Sequence, residues 1–333
     1  MANVLFLNGL EDSNRVLIRA VGPRGVAYEL HGSIDIHEDL RHPQLKKHLV
    51  VLGDVTGGLP QLPRPDVIFN CITDADTSTK ALHLAMQVIR QHPGVPVINR
   101  PVHVLKTRRD DVAAALAAVP GLVVPATQRI RPTAQREVLD AIAAGPGYPV
   151  ILRSAGTHGG ASMLLLRTPE DAALLDRIAC DGSEYYLIRF IDFASPDGLY
   201  RKLRLVFVGD QVFARHLLVS EDWNVHASTR EGLMAARPEL CAEEEAFLTT
   251  FGPTHFPPLA ERLAAIKQRL QLDYFSVDCA LLGTGELLIF EANASGNALR
   301  QKHLEKHPYL RPVVQKLRVA VQDMLLREPA PDA

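Results

Sequence analysis

The sequence predicts an α/β chain that opens as a parallel-sheet layer and continues as α+β units. Three observations carry this reading. Short apolar runs alternate with a helical pattern up to about residue 100, a loop with three glycines separates two apolar strands near residue 155, and two apolar runs close to the C-terminus read as a hairpin.

The bulk numbers set the class. With 333 residues, 47% of them hydrophobic and 22% charged, the composition is that of an ordinary globular protein with room for two or three subdomains. A formal net charge of −2 and the lack of a long basic run argue against nucleic acid as a partner. No apolar stretch reaches the ~18 residues of a membrane span, and MANVLFLNG has no basic region before its apolar run. Neither a span nor a signal peptide is expected, and the cytoplasm is the expected compartment. Cys71, Cys180, Cys241 and Cys279 are scattered beside apolar segments, which predicts buried thiols in a reducing environment.

Taken in order, VLFL (4–7), VAYEL (26–30), HLVVL (48–52) and DVIFNCI (66–72) read as strands of one parallel layer, and VPVINRP (95–101) as its last strand. TSTKALHLAMQVIRQ reads as a helix over 77–91. Asp76 or Thr77 would be its N-cap, Leu82, Ala85, Met86 and Ile89 would share one face, and Pro93-Gly94 lies beyond its end. The turn NCITDADTST sits at a strand's carboxyl end, where open α/β sheets place ligands, so Asn70 and Thr73 are candidates to touch substrate; plain turn chemistry is the alternative.

From residue 101 the pattern changes to helix 108–118, strand LVVPAT, helix 133–144 and then YPVILRSAGTHGGASMLLL. In that last segment Gly156, Gly159 and Gly160, with His158 between them, permit positive φ and close backbone approach to phosphate oxygens; a flexible turn is the plainer alternative. A helix over 169–179 has Thr168 as N-cap, Pro169 at its first position and two acids in its first turn. EYYLIRFID (184–192) reads as a buried strand. LYRKLRLVFVGDQVFARHLL (199–218) reads as a hairpin about Gly209-Asp210, with Lys202, Arg204 and Val206 on one face. Residues 219–238 lack periodicity and hold Trp223, Asn224 and His226, side chains suited to substrate contact. Helices over 239–251, 257–271 and 308–327 account for most of the remainder.

The densest chemistry lies in VDCALLGTGELLIFEANASGN, residues 277–297. If Thr284-Gly285 is a two-residue turn, Asp278 falls opposite Glu291, and Asn293 follows two residues along the same face. Such acids in an apolar ribbon would repel one another unless a cation lay between them. Two carboxylates and an amide oxygen suit Mg²⁺, or Mn²⁺ in its place, held jointly with nucleotide phosphates; a polar hairpin rim is the alternative. On this reading Glu291→Gln relieves repulsion and leaves the fold at least as stable.

An Asp on one strand, a hairpin, and E-x-N on the next in the form FEANAS resemble the metal signature of the ATP-grasp superfamily. HLLVSEDWNVH (216–226), the EEEAFL helix and LDYFSVDCAL extend the resemblance to a bacterial group related to glutathione synthetase and ribosomal-protein-modifying ligases. The resemblance implies an ATP-grasp fold: a Rossmann-like parallel-sheet domain over 1–100, a lid over 101–190 and a C-terminal subdomain over 191–330 with the metal site. It implies that Ile188, Arg189, Phe190 and Ile191 form an adenine wall and that Asp192 takes the ribose hydroxyls. Arg153 stands where the superfamily usually has a phosphate-binding lysine, and retains the charge on a planar fork. Arg109 fits a second nucleotide-contacting cation, with a solvated helix charge as the alternative. Related ligases carry D-x-R where this chain reads KLR, so Arg204 carries over to the γ-phosphate and acyl phosphate while Lys202 replaces the acid. Asn297, Arg300 and Lys302 are expected near the acyl phosphate; His303 and His307 are expected on the surface.

The implied activity is an ATP-dependent carboxylate–amine ligase, with Arg204, Lys202 and Arg300 as catalytic cations. Its partners would be small-molecule or peptide carboxylates and amines, and a homodimer stays an open option. An acyl phosphate needs no covalent enzyme nucleophile, and no general base is apparent in the sequence. Two alternatives stay open at this point: an ATP-grasp kinase, and a nucleotide-binding regulatory module in which Arg153 and Lys202 mark lost turnover.

Overall fold

A computed structural model describes residues 1–23, 25–53, 62–157, 162–300 and 304–327. The first layer is a parallel sheet in the order Leu45–Leu52, Ala2–Gly9, Val67–Asn70, Val97–Ile98. Helix Thr79–Arg90 covers it with Ala81, Leu82, Ala85 and Val88, a face rotated from the expected one. Ser78, rather than Asp76 or Thr77, occupies the cap position. Asp74 Oδ1 instead accepts the N–H groups of Asp76 (2.7 Å) and Thr77 (3.2 Å), an Asx turn that holds residues 74–77 at the sheet's carboxyl edge.

Strand Gly25–Glu29 does not join this layer. It pairs antiparallel with Leu17–Gly22 in a separate two-stranded ribbon, with Gly25 at φ +120°. A parallel neighbour requires a crossover of a dozen or more residues, usually helical, whereas Gly22 pairs directly with Gly25.

The second sheet has the order Met163–Leu166, Val150–Ser154, Tyr185–Arg189, Thr127–Ile130, antiparallel throughout. Helix Gln135–Ala144 packs Val138 and Ile142 onto it. The segment Pro169–Arg177 is a 3-10 helix rather than an α-helix, and Asp171 folds back to accept the N–H groups of Arg167 (2.6 Å) and Thr168 (3.2 Å). LVVPAT, expected as one strand, is divided at Pro125, since proline cannot donate to a ladder. Leu122–Val123 runs parallel to Leu287–Leu288 in the third sheet, and Thr127–Ile130 begins the second.

The third sheet, in the order Gln211–Ser220, Tyr200–Val208, Tyr274–Leu281, Leu287–Ala294, Leu122–Val123, carries the chemistry. Its outer hairpin turns at Gly209-Asp210 as expected, and Asp278 does face Glu291. The route to that register differs from the count. Leu281 pairs with Leu287 around a longer connection, with Gly285 at φ +81°, and a bulge at Phe290 restores the offset. Helix Arg311–Leu326 packs Leu317, Val321 and Leu325 in one core with Phe6 and Phe69 of the first sheet and Val206 and Val208 of the third.

Asn99 joins these layers. It sits at φ +56°, a left-handed position asparagine tolerates, and its Oδ1 accepts the N–H groups of Asp273 (2.9 Å) and Tyr274 (3.0 Å). Its Nδ2 donates to Tyr274 O and to Ser295 Oγ (2.7 Å), and Ser295 Oγ donates to Asn70 O (3.0 Å). Asn70, expected as a substrate contact, is fully buried; its side chain takes Ile72 N–H (3.1 Å) and donates to Asn99 O (3.0 Å). Of the four free thiols, Cys71 and Cys279 are buried, whereas Cys180 and Cys241 are half-buried. No helix among the described residues is long and apolar enough to cross a membrane.

Candidate active site

A cavity of about 660 Å³ lies where the three sheets meet. Its floor is the third sheet. Lys202 and Arg204 from one strand, His216 and Leu218 from the next, Ser276 and Asp278, then Glu291 and Asn293 alternate toward it, because residues two apart on a strand share a face. Arg153 and Met163 come from the second sheet, and Arg109 from the start of helix Arg109–Leu116. One end is apolar, with Val124, Ile188, Phe190, Ile191 and Leu288 beside Trp223, whose ring meets Phe190 edge-on at 5.7 Å. Thr73, Asn224, His226, Asn297 and Arg300 also line the cavity.

The acids do not repel one another across a gap, as the sequence led us to expect. Arg204 grips Asp278 through two parallel bonds, Nε at 2.6 Å and Nη2 at 2.8 Å, with Lys202 Nζ 3.6 Å from the same carboxylate. Arg109 pairs with Glu291, Arg153 Nη1 stands 3.9 Å from it, and Asn293 Nδ2 donates to it at 3.0 Å. Four cations thus surround two carboxylates, and the local imbalance is positive. Burial raises the Glu291 pKa, but Arg109, then Arg153, then the Asn293 bond outweigh it and hold the carboxyl well below its usual range. Burial, followed by repulsion from Arg109, pulls the Arg153 guanidinium down to about 10. Arg109 Nε and Arg153 Nε are buried without a hydrogen-bond partner among the described residues, as are Ser276 Oγ and His216 Nε2.

Two carboxylates and an amide form a donor set that suits a hard divalent cation. Among the described residues no cluster of three or more His, Cys, Asp or Glu can hold a metal alone. A cation at Asp278, Glu291 and Asn293 therefore fits if a ligand supplies further oxygens and draws the arginines away.

Several expected contacts are redirected. Asp192 is exposed and is not among the lining residues, although its neighbours Ile191 and Phe193 are, and its Oδ1 accepts Ala194 N–H at 3.2 Å. Arg189 lines the cavity, but its guanidinium is held by the carbonyls of Pro146 (3.1 Å) and Tyr148. Gly156 N–H points to Asp76 Oδ2 at 3.4 Å, and Gly156 lies outside the cavity lining. His158, Gly159, Gly160, Lys302 and His303 lie outside the described residues.

Two residues escaped the sequence reading. His216, paired across the ladder with Arg204, is held neutral: burial first, then Arg204 and Arg230, lower its pKa well below 6.5. A neutral imidazole therefore does line the cavity. Arg215, displaced by the bulge in its strand, donates to the carbonyls of Ala298 (2.7 Å) and Arg300 (3.2 Å), which fixes the loop that carries Asn297 and Arg300. A hydrophobic alternation marks the strand but not the bulge that redirects these two side chains.

Neither a family model nor a curated protein matches the chain. Solved structures do match along nearly its whole length. A RimK domain ATP-grasp protein from Sphaerobacter thermophilus is 18% identical, with a TM-score of 0.51, over 98% of this chain and 100% of that one. The VanG D-Ala:D-Ser ligase from Enterococcus faecalis is 11% identical, with a TM-score of 0.56, over 98% and 99%. A D-alanine–D-alanine ligase from Bacillus anthracis, complexed with ATP, is 12% identical, with a TM-score of 0.53, over 98% of both chains. The fold of this chain is that of the ATP-grasp ligases.

Proposed function

We propose that this chain is an ATP-dependent carboxylate–amine ligase that works through an acyl phosphate and releases ADP and phosphate. The observation that carries the proposal is the surplus of positive charge lining the cavity: the buried Arg153 and the half-buried Arg109, Lys202 and Arg204 surround Asp278 and Glu291. Four such cations in a partly desolvated cavity call for a polyanion, and the apolar end beside Trp223 suits a base. Phosphate oxygens compete for the arginines and leave the two carboxylates free. A divalent cation bound at Asp278, Glu291 and the Asn293 amide oxygen would then neutralise charge on the transferring phosphoryl group.

In the first step the substrate carboxylate attacks the γ-phosphorus, the bond to the β-phosphate oxygen breaks, and Arg204 and Lys202 offset the charge that builds on the transferred group. In the second an amine attacks the acyl carbon, phosphate departs, and the amine proton leaves with it or with a nearby acceptor. Arg300 and Asn297 also line the cavity, which supports a role for them beside the acyl phosphate. Because His216 lines the cavity as a neutral imidazole, the lack of a base does not separate an amine acceptor from a hydroxyl. Product chemistry does. In a screen of pooled amino acids and small carboxylates with Mg-ATP, substrate-stimulated ADP release with a condensed product lighter by one water supports the ligase. A product heavier by one phosphoryl group means a kinase, and nucleotide binding without stimulated ADP release means a regulatory module.

A further inference from the structure

The side chain of Asp76, which does not cap its helix, is buried against the second sheet at 6% exposure. Its carboxylate accepts the Tyr186 hydroxyl at 2.8 and 2.9 Å and Gly156 N–H at 3.4 Å, and pairs with Arg129 at 3.2 Å and Arg108 at 3.5 Å. These contacts join the turn of the first layer to the glycine-rich hairpin. The fit is close there, since a Cβ on Gly156, which sits at φ +65°, would meet Thr77 Cγ2 at 2.3 Å.

Tyr186 is the middle of a row across three strands, opposite Arg129 on one side and Arg153 on the other. Its ring lies under two guanidiniums, Arg129 at 5.0 Å and Arg109 at 5.9 Å from the centroid. Arg153 Nη2 in turn donates to Thr157 O at 2.5 Å, inside the glycine-rich loop, while Arg109 and Arg153 converge on Glu291. A continuous path of contacts therefore runs from Asp76 through Tyr186 to the two arginines assigned to phosphate. Burial, then the charge and hydrogen bond of Asp76, raise the Tyr186 pKa, so the phenol stays a donor at working pH.

We propose that Asp76 and Tyr186 form a latch that sets Gly156, Thr157 and the Arg109–Arg153 pair at the spacing a polyphosphate requires. They are positioning residues rather than catalytic ones, and the inference rests on the reading of the cavity as a nucleotide site.

Tyr186→Phe deletes one oxygen and keeps the ring between its guanidiniums; Asp76→Asn keeps the shape and removes the charge. Full-length wild type, both single variants and the double variant are titrated with Mg-ATP and, separately, with adenosine. Tyr186→Phe removes both the bond to Asp76 and the one accepted from Arg129 Nη2 (2.7 Å), so each single change weakens Mg-ATP binding at least about tenfold, the size of one or more hydrogen bonds to charged groups. The double variant is no weaker than the poorer single one, because the two residues act as one unit. Adenosine affinity stays at the wild-type value, whereas general loosening of the second sheet would weaken it as well. Unchanged Mg-ATP affinity in folded Tyr186→Phe overturns the latch, even where Asp76→Asn does not fold, and so does a parallel loss for adenosine. Wild-type protein that binds no Mg-ATP overturns the nucleotide reading first, and the latch with it.

Discussion

Glu291→Gln is the most informative single change, because the structure and the sequence pattern predict opposite effects on stability. From the pattern, removal of one of two adjacent acids relieves repulsion. In the structure Glu291 is the counter-charge of two buried arginines, with Arg109 and Arg153 side chains only 10% and 9% exposed against 20% for the glutamate. Loss of one partner from a buried ion pair costs about 3–5 kcal/mol, and a Gln carbonyl with some access to water places this case near the lower figure, about 3 kcal/mol. For a larger domain that corresponds to a fall in Tm of about 6–12 °C. The same change frees both guanidiniums, so ATP without divalent metal should bind about tenfold more tightly, the equivalent of one charge-assisted hydrogen bond. Metal-dependent ADP release should fall at least ~100-fold, as for loss of a group that acts on transition-state charge. Differential scanning fluorimetry and calorimetric titration with ATP in EDTA give the first two quantities. An unchanged Tm together with unchanged metal-free ATP affinity would refute the charge balance described for the cavity.

Three further outcomes are expected. Arg153→Lys should keep most of the ATP affinity and Arg153→Ala should lose at least about tenfold, by titration; equal, mild effects would remove Arg153 from the phosphate contacts. The His216 pKa is lowered in the fold, so the unfolded chain takes up the proton first as pH drops below about 6.5; its contribution to stability is full above that pH and declines below it. Tm measured between about pH 7 and 5 should accordingly fall less steeply in His216→Gln than in wild type. Trp223 is the single tryptophan and lies at the apolar end of the cavity, so Mg-ATP should shift the intrinsic fluorescence in a saturable way, and a flat titration beside calorimetric binding would place the base elsewhere.

The helix period was legible where one face is buried, as in Thr79–Arg90, while Tyr274–Leu281 and Leu287–Ala294 were legible as short apolar runs, buried along most of their length. The opposition of Asp278 and Glu291 was reached by two departures that cancel: a connection longer than two residues, and one extra residue at the Phe290 bulge. Neither leaves a mark in the alternation of apolar residues. What local pattern could not give were partners far apart in sequence. Gly156 meets Asp76 across 80 positions, and Arg109 meets Glu291 across 182, so a phosphate-type loop and a candidate metal acid each had a competitor within the protein itself. Ribbon Leu17–Gly22 was missed because its residues are exposed and lack the one-sided burial that produces a period.

Asn99 bears on how freely the parts of this chain can be exchanged. Its single side chain completes four bonds to the strand that starts at Tyr274 and to the end of the strand that carries Glu291 and Asn293. With residues 1–100 removed, Tyr274 N–H and Ser295 Oγ would lose their Asn99 and Asn70 partners, whereas Tyr274 O keeps Ser295 N–H (2.9 Å); the cost is about 1–3 kcal/mol for each group left unsatisfied. The parallel layer is thus no detachable module. A graft of another N-terminal domain, or a recombination crossover near residue 100, would preserve the acidic hairpin only if it restored an amide side chain on left-handed backbone at that one position.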